Sequence, residues 1–235
     1  MKTLSVILCT YNEANNINGT LNTLLSSKLV NEIIIIDDNS KDGTVSLINK
    51  FSDPRIKLVV RKNTRGFASA FIYGVIISKS DYIMRFDVDM FADINFFLDI
   101  FKEKNKYEFL IFSRYCKTGR DFRGPYRKIS SLLINKLCQL LLSSKVKDYT
   151  SCIFFFKKDI LKDLSIQNTL YANFVITFVY QAILKNIDIS EVGFIQKKET
   201  EKNSKSAPNI LIFLKNGLLY MLSIFKCFFL RFNRK

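Results

Sequence analysis

A chain of 235 residues, 48% hydrophobic and 24% charged, is long enough to bury one large core, and no Gly-rich, Pro-rich or repeated stretch marks it as a linker or a solenoid. Histidine is absent, which removes the commonest general base and the commonest transition-metal ligand together. The net charge of +15 lies wholly in the second half: residues 1–100 hold 11 basic and 11 acidic groups, residues 101–235 hold 25 and 10. That half calls for an anionic partner, whether nucleic acid, a membrane surface or a phosphorylated substrate.

The apolar pattern is read in chain order. Leu4–Cys9 is a short run of branched residues and predicts a buried strand. Ile17, Leu21, Leu24 and Leu25 fall at helical spacing within Asn15–Leu25. Ile33–Ile36 predicts a second strand that stops at Asp37-Asp38-Asn39-Ser40, where Ser40 or Asp42 can cap a helix bearing Val45, Leu47 and Ile48. Ile56–Val60 predicts a third strand, Gly66–Ile77 a helix, and Tyr82–Phe86 a fourth strand ending at Asp87. Strands alternating with helices imply an α/β fold: a mostly parallel, doubly wound sheet flanked by helices. Ligands in such sheets bind at the carboxyl ends of the strands. Thr10–Glu13, Asp37–Ser40 and Asp87–Asp89 all fall at those ends. Beyond them, Phe109–Phe112 and Ile153–Phe156 predict strands, and Ile129–Leu142 and Phe174–Leu184 predict helices. The expected division is a main domain over 1–206 and a C-terminal helical tail over 207–235. The five cysteines, Cys9, Cys116, Cys138, Cys152 and Cys227, are odd in number and too scattered for a metal knuckle, which fits a reducing compartment.

Two polar clusters carry chemistry. Asp87 and Asp89 flank one residue just past an apolar strand, so both carboxylates can reach one hard cation. Mg²⁺ or Mn²⁺ bound by one or two carboxylates plus substrate phosphates is the usual arrangement. Asp38 follows its strand in the same way and can accept from a base N–H or a ribose hydroxyl. Its neighbours Asp37, Asn39 and Ser40 are also helix-capping types.

Tyr11-Asn12-Glu13, Asp37-Asp38-Asn39-Ser40 with Asp42-Gly43-Thr44, Gly66 with Ala70 and Gly74, and Asp87-Val88-Asp89 together resemble the family-2 glycosyltransferases of GT-A, Rossmann-like fold. Downstream, Ser113-Arg114-Tyr115, Arg127 with Ser131, Asp148-Tyr149-Thr150-Ser151, Glu191-Val192 and Ser204-Lys205 are similar to the dolichyl- and polyprenyl-phosphate sugar synthases of mannose type. The resemblance runs over roughly residues 4 to 220 and implies a metal-dependent, inverting hexosyltransferase. It implies that Tyr11, Glu13, Ile36 and Asp38 contact the nucleotide of a GDP- or UDP-sugar. Asp87, Val88 and Asp89 would meet the diphosphate, with Asp87 and Asp89 holding Mg²⁺ or Mn²⁺. Arg114, Arg127 and Ser131 would grip the acceptor phosphate, and Asp148 would sit near the reacting sugar. Asp89, Asp148, Arg114 and Arg127 form the implied catalytic set. Lys205 would belong to a mobile loop that adds charge over the donor. The chain departs from the family pattern at Phe91, where glutamine is usual, at Glu199 in place of arginine, at Thr177 in place of glutamate, and at Cys152 in place of glycine.

Transfer to a hydroxyl wants a positioned base, worth about 10²–10⁴-fold. A phosphomonoester, with a second pKa near 6, arrives already ionised and needs cations to position it. Arginine forks match phosphate oxygens. A chain without histidine and with a basic second half therefore suits a lipid phosphate, the alternative being a glycan hydroxyl in surface polysaccharide synthesis. Nucleic acid is not expected, because no RNP, KH or zinc pattern occurs. The tail, Asn209–Leu230, is apolar but carries Lys215 and Lys226. A central lysine costs roughly 2.5–3.5 kcal/mol on insertion scales. An amphipathic helix on the cytoplasmic face of a membrane, its lysines reaching the headgroups, is the expectation.

Overall fold

The computed structural model describes residues 2–104, 106–169, 171–197 and 210–232. The elements run β1 (Leu4–Thr10), α1 (Ile17–Ser26), β2 (Glu32–Asp37), α2 (Thr44–Ile48), β3 (Ile56–Val60), α3 (Phe67–Ile77), β4 (Tyr82–Arg85), a 3₁₀ turn (Val88–Asp93) and α4 (Ile94–Lys104). They continue with β5 (Phe109–Ser113), β6 (Arg120–Asp121), α5 (Pro125–Leu141), β7 (Phe154–Lys157), a second 3₁₀ turn (Lys158–Lys162), α6 (Phe174–Leu184), β8 (Ile189–Gly193), β9 (Ile195–Gln196) and α7 (Ile210–Phe232). The chain divides into two compact units, Met1–Phe109 with Cys152–Lys162, and Leu110–Ser151 with Asp163–Lys235.

The first unit is a mostly parallel sheet in the order β3-β2-β1-β4-β7. β1 pairs in parallel with β2 and β4, and β2 with β3, so the carboxyl ends of four strands share one rim. Four consecutive isoleucines, Ile33–Ile36, are wholly buried in β2, as branched residues are in a strand covered on both faces. β3 is only half-buried along its length, as an edge strand is. Gly74 lets α3 lie close on β1, since a Cβ there would stand 2.6 Å from Ile7 Cγ2. Much of the phenylalanine is spent beside β4 and β7. Phe71, Phe109, Phe154 and Phe156 meet edge to face at ring-centroid distances of 5.7–6.5 Å, a preferred aromatic geometry.

Three details differ from the sequence expectation. β7 runs antiparallel to β4, and apolar periodicity carries no sign of strand direction. α4 was not foreseen, although Ile94, Phe97, Leu98 and Phe101 are buried at helical spacing. Neither Ser40 nor Asp42 is the N-cap of α2: Gly43 takes that place at φ 94, a left-handed conformation open to glycine. Ser40 is drawn to Asp37 instead, while Asp42, one residue earlier, still accepts from Thr44 N at 3.1 Å.

The second unit holds β5, β8, the short parallel pair β6–β9, and helices α5, α6 and α7. α5 opens with Pro125 at its first position, where no backbone donor is lost. It begins four residues before the predicted start. α6 is apolar on all sides and correspondingly buried. α7 packs on α5 and α6 through Ser223, Ile224 and Cys227, and Asn173 Nδ2 donates to Ser223 Oγ at 2.9 Å. Among the described residues no helix is long and apolar enough to cross a membrane.

Candidate functional site

In the first unit the loops after β1 and β2 are stitched together by Asp37. Its carboxylate is wholly buried and accepts from Thr10 Oγ1 at 2.7 Å, Ser40 Oγ at 2.6 Å and Ser40 N at 2.8 Å. Asn12 N donates to Ser40 Oγ, Lys41 N to Asn12 Oδ1, and Glu13 N to Thr44 Oγ1. Asn12 and Asn39 adopt left-handed backbone, at φ 54 and φ 62, which asparagine tolerates better than most residues. The rim is thus fixed by short polar side chains, which leaves Tyr11, Glu13 and Asp38 held in place around it.

Asp38 is 9% exposed and already gripped. Arg61 Nε donates to its Oδ1 at 2.7 Å, a second Arg61 nitrogen joins it, and Gly66 N donates to Oδ2 at 3.0 Å. Tyr11 is 36% exposed, with the Arg65 guanidinium 4.1 Å above its ring. An aromatic face and a tethered carboxylate are suited to a nucleotide base and ribose. Ile36 is wholly buried and Val88 nearly so, and Val88 O accepts from Thr20 Oγ1 at 2.6 Å. A ligand contact from either therefore runs through its backbone.

Asp87 and Asp89 are both exposed while Val88 between them is buried, so the two carboxylates stand on the open side of the strand end. Two hard oxygen donors fit a divalent cation that draws the rest of its shell from phosphate and water. Among the described residues no third acidic, Cys or His group joins them into a closed cage. Arg85, only 3% exposed, donates to Asp87 Oδ1 and, at 2.6 Å, to Cys152 O, and lies 4.3 Å from the Phe67 ring centroid. Its Nε is buried with no acceptor among the described residues. Burial pushes the neighbouring Cys9 thiol up to about 12, against the pull of Arg85, so Cys9 stays neutral.

In the second unit Arg114 and Asp148 form a buried ion pair, 5% and 0% exposed. Asp148 accepts from Arg114 N at 3.0 Å, Nε at 2.8 Å and Nη2 at 2.7 Å. Burial alone would raise the Asp148 pKa, but the Arg114 charge and these bonds hold it below the usual carboxylate range. Thr150 Oγ1 gathers the rest: Arg114 Nη2 at 2.7 Å, Asn135 Nδ2 at 2.9 Å and Ser131 Oγ at 3.0 Å. Ser131 and Asn135 share the inward face of α5. Beside them Tyr115 OH donates to Asp121 Oδ2 at 2.7 Å, and Arg123 clasps the same carboxylate through two nitrogens. Glu191 accepts from Lys147 N and Asp148 N, and burial raises its pKa.

The structure thus brings Arg114, Ser131 and Asp148 into one network, with Arg127 half-buried on the same helix as Ser131. Lys205 and Glu199 lie outside the described residues. Thr177, at a position where the family carries glutamate, is buried in α6 and bonded to Phe174 O at 2.8 Å. Sequence reasoning missed Arg61, Arg65, Arg85 and Asn135. Only Arg85 left a signal, as a charge inside the apolar strand Tyr82–Phe86.

Comparison with known proteins follows this geometry. The model of the family described as glycosyl transferase family 2 matches residues 5–165. The chain is 27% identical over 222 residues to a dolichol-phosphate mannosyltransferase of Saccharomyces cerevisiae, covering 88% of this chain and 82% of that one. It is 38% identical over 90 residues to a UDP-Glc:alpha-D-GlcNAc-diphosphoundecaprenol beta-1,3-glucosyltransferase of Escherichia coli, over 38% of this chain and 36% of the relative. Among solved structures, glucosyl-3-phosphoglycerate synthase of Mycobacterium tuberculosis, in complex with Mn²⁺, UDP-glucose and phosphoglyceric acid, matches with a TM-score of 0.72 at 14% identity. That match covers 96% of this chain and 79% of the other.

Proposed function

The chain belongs to glycosyl transferase family 2 and transfers sugar from a nucleotide-sugar; from that premise we propose that it moves a hexose from a GDP- or UDP-sugar to a polyprenyl or dolichyl phosphate, with inversion. The observation that carries the acceptor is the Arg114–Asp148–Thr150–Ser131 network, with Arg127 on the same helix as Ser131. It offers arginine and hydroxyl donors suited to phosphate and no free base. Asp148 is a poor proton acceptor, being buried, paired and held ionised at low pKa, so an acceptor hydroxyl would gain little from it. A phosphate dianion needs no deprotonation.

The roles follow. Tyr11 and Asp38 hold the base and ribose, with Glu13 and the backbone of Ile36 beside them. Asp87 and Asp89 hold Mg²⁺ or Mn²⁺, which when bound supplies positive charge for the departing nucleoside diphosphate. Arg114, Arg127 and Ser131 hold the acceptor phosphate, and Asp148 orients Arg114. An acceptor oxygen then bonds to the anomeric carbon as the bond from that carbon to the diphosphate oxygen breaks, the electron pair leaving with the diphosphate. Lys205 would add positive charge for the donor diphosphate. α7 rests on the cytoplasmic face of the membrane, where a lipid phosphate lies. Residues 1–206 form the catalytic domain and 207–235 the membrane tail. The similarity to dolichol-phosphate mannosyltransferase over 88% of the chain supports this acceptor. The shorter match to a glucosyltransferase named for a diphosphoundecaprenol-linked sugar favours a second reading, a glycan hydroxyl acceptor.

The test compares transfer from a panel of GDP- and UDP-sugars to polyprenyl phosphate and to a lipid-linked glycan, with Mn²⁺ and with chelator, using the parent and Asp89→Ala. Transfer to polyprenyl phosphate that Asp89→Ala and chelator each abolish is expected. Transfer only to the glycan selects the second reading, and activity undiminished in chelator removes the metal.

A further inference from the structure

α5 has two faces of opposite character. Ser131, Asn135 and Cys138 point inward, 8%, 1% and 0% exposed. Tyr126, Ile129, Leu133 and Leu140 point outward and are 81%, 55%, 66% and 80% exposed. Single exposed apolar residues are ordinary, but a row of four large ones along one helix is not. α7, which packs on α5, shows the same division. Ser223, Ile224 and Cys227 face inward, while Leu214, Leu218, Leu222, Phe225 and Phe229 are 45–63% exposed. Spacings of three and four residues keep the outward set on one stripe.

The charges on these helices decide what covers them. α5 contains Arg127, Lys128 and Lys136, and α7 contains Lys215, Lys226 and Arg231; neither contains an aspartate or glutamate. Lys128, Lys136, Lys215 and Lys226 are exposed beside the apolar stripes. A second copy of the chain would bring like charges together across such a face. Lipid headgroups of negative charge over an apolar layer meet both features at once, with lysine stems lying along the apolar surface and their ammonium groups among the headgroups.

We propose that α5 and α7 together form a docking face for an anionic lipid bilayer. The face rests on the membrane reading given above for α7 and extends it to α5. α5 then does two things: its outer face lies on the bilayer, and its inner face presents Ser131 to the Arg114 network. The acceptor headgroup is received where the helix meets the membrane, with no need for the lipid to leave it.

The experiment is vesicle flotation of the full chain, with phosphatidylcholine alone or mixed with phosphatidylglycerol. Three variants accompany the parent: Ile129→Asp with Leu133→Asp on α5, Leu218→Asp with Leu222→Asp on α7, and Lys128→Glu with Lys136→Glu. All these side chains are exposed, so the fold is expected to survive, checked by circular dichroism and thermal unfolding. The parent should float with mixed vesicles far better than with neutral ones. Each Asp pair should weaken partitioning by at least about tenfold, as expected when two large apolar side chains lose their burial. The Lys→Glu pair should lose binding to mixed vesicles alone. Parent-like flotation of the α5 Asp pair, with loss confined to the α7 pair, overturns the role of α5 and leaves the membrane reading standing. A parent that floats with no vesicle overturns both. A parent dimer that the same Asp pairs dissociate, without vesicle binding, assigns the face to self-association and also overturns the proposal.

Discussion

Replacing Asp148 by Asn tests the buried pair beneath the proposed acceptor site. The substitution keeps the shape and removes the charge that balances Arg114, which is 5% exposed. Six donors lose a carboxylate acceptor: three from Arg114, Asn135 Nδ2, and the backbone and hydroxyl of Thr150. Removing one partner of a buried pair costs about 3–5 kcal/mol, because the other charge is left uncompensated. The pH dependence has a definite sign. The folded Asp148 pKa is depressed, so its contribution is complete above the unfolded carboxylate value of about 3.9 and is lost as pH falls through the folded value. The gap between parent and variant should therefore be full at neutral pH and shrink below about pH 3.9. Urea unfolding of the full chain across that range reads both. Adding Arg114→Met to the variant should restore part of the loss, since it removes the uncompensated buried charge. A cost at neutral pH under about 1 kcal/mol, or a gap independent of pH, would refute the reasoning.

Arg127→Ala should raise the acceptor KM or lower kcat by about tenfold or more, since a charge-assisted hydrogen bond is worth roughly 1.5–3 kcal/mol. Donor binding measured by calorimetry should be unchanged, and normal kinetics on polyprenyl phosphate would remove Arg127 from the acceptor site. Arg85→Met should leave the chain folded, because methionine matches the volume of a buried site that now holds an unsatisfied Nε. Mn²⁺ binding without nucleotide should tighten by about tenfold once the guanidinium beside Asp87 is gone. Unaltered Mn²⁺ affinity would mean that the charge of Arg85 does not reach Asp87 and Asp89.

What the sequence made legible follows from which interactions are local. Ile33–Ile36 and Ile56–Val60 announce strands because burial on two faces needs consecutive branched residues, and their ends locate the rim that carries Tyr11, Asp38 and Asp87. Apolar period cannot report that β7 runs antiparallel, nor separate α4 from its phenylalanine-rich surroundings. Partners brought from a distance are hidden for the same reason. Nothing near Asp38 in sequence foretells that Arg61, 23 residues on, will hold it, and nothing near Arg114 foretells Asp148, 34 residues on. Both pairings alter the chemistry assigned to the carboxylate. An aspartate read as an open acceptor at a strand end proves to be tethered, with Arg61 and Gly66 N already donating to its two oxygens. One expected near the reacting sugar proves to be buried, with three Arg114 nitrogens already donating to it. The motif thus names where the chemistry stands, while the fold decides which atoms of each carboxylate remain available for it. In this chain that choice leaves Asp87 and Asp89 as the exposed acids of the strand end, while Asp38 and Asp148 are already bound by arginine.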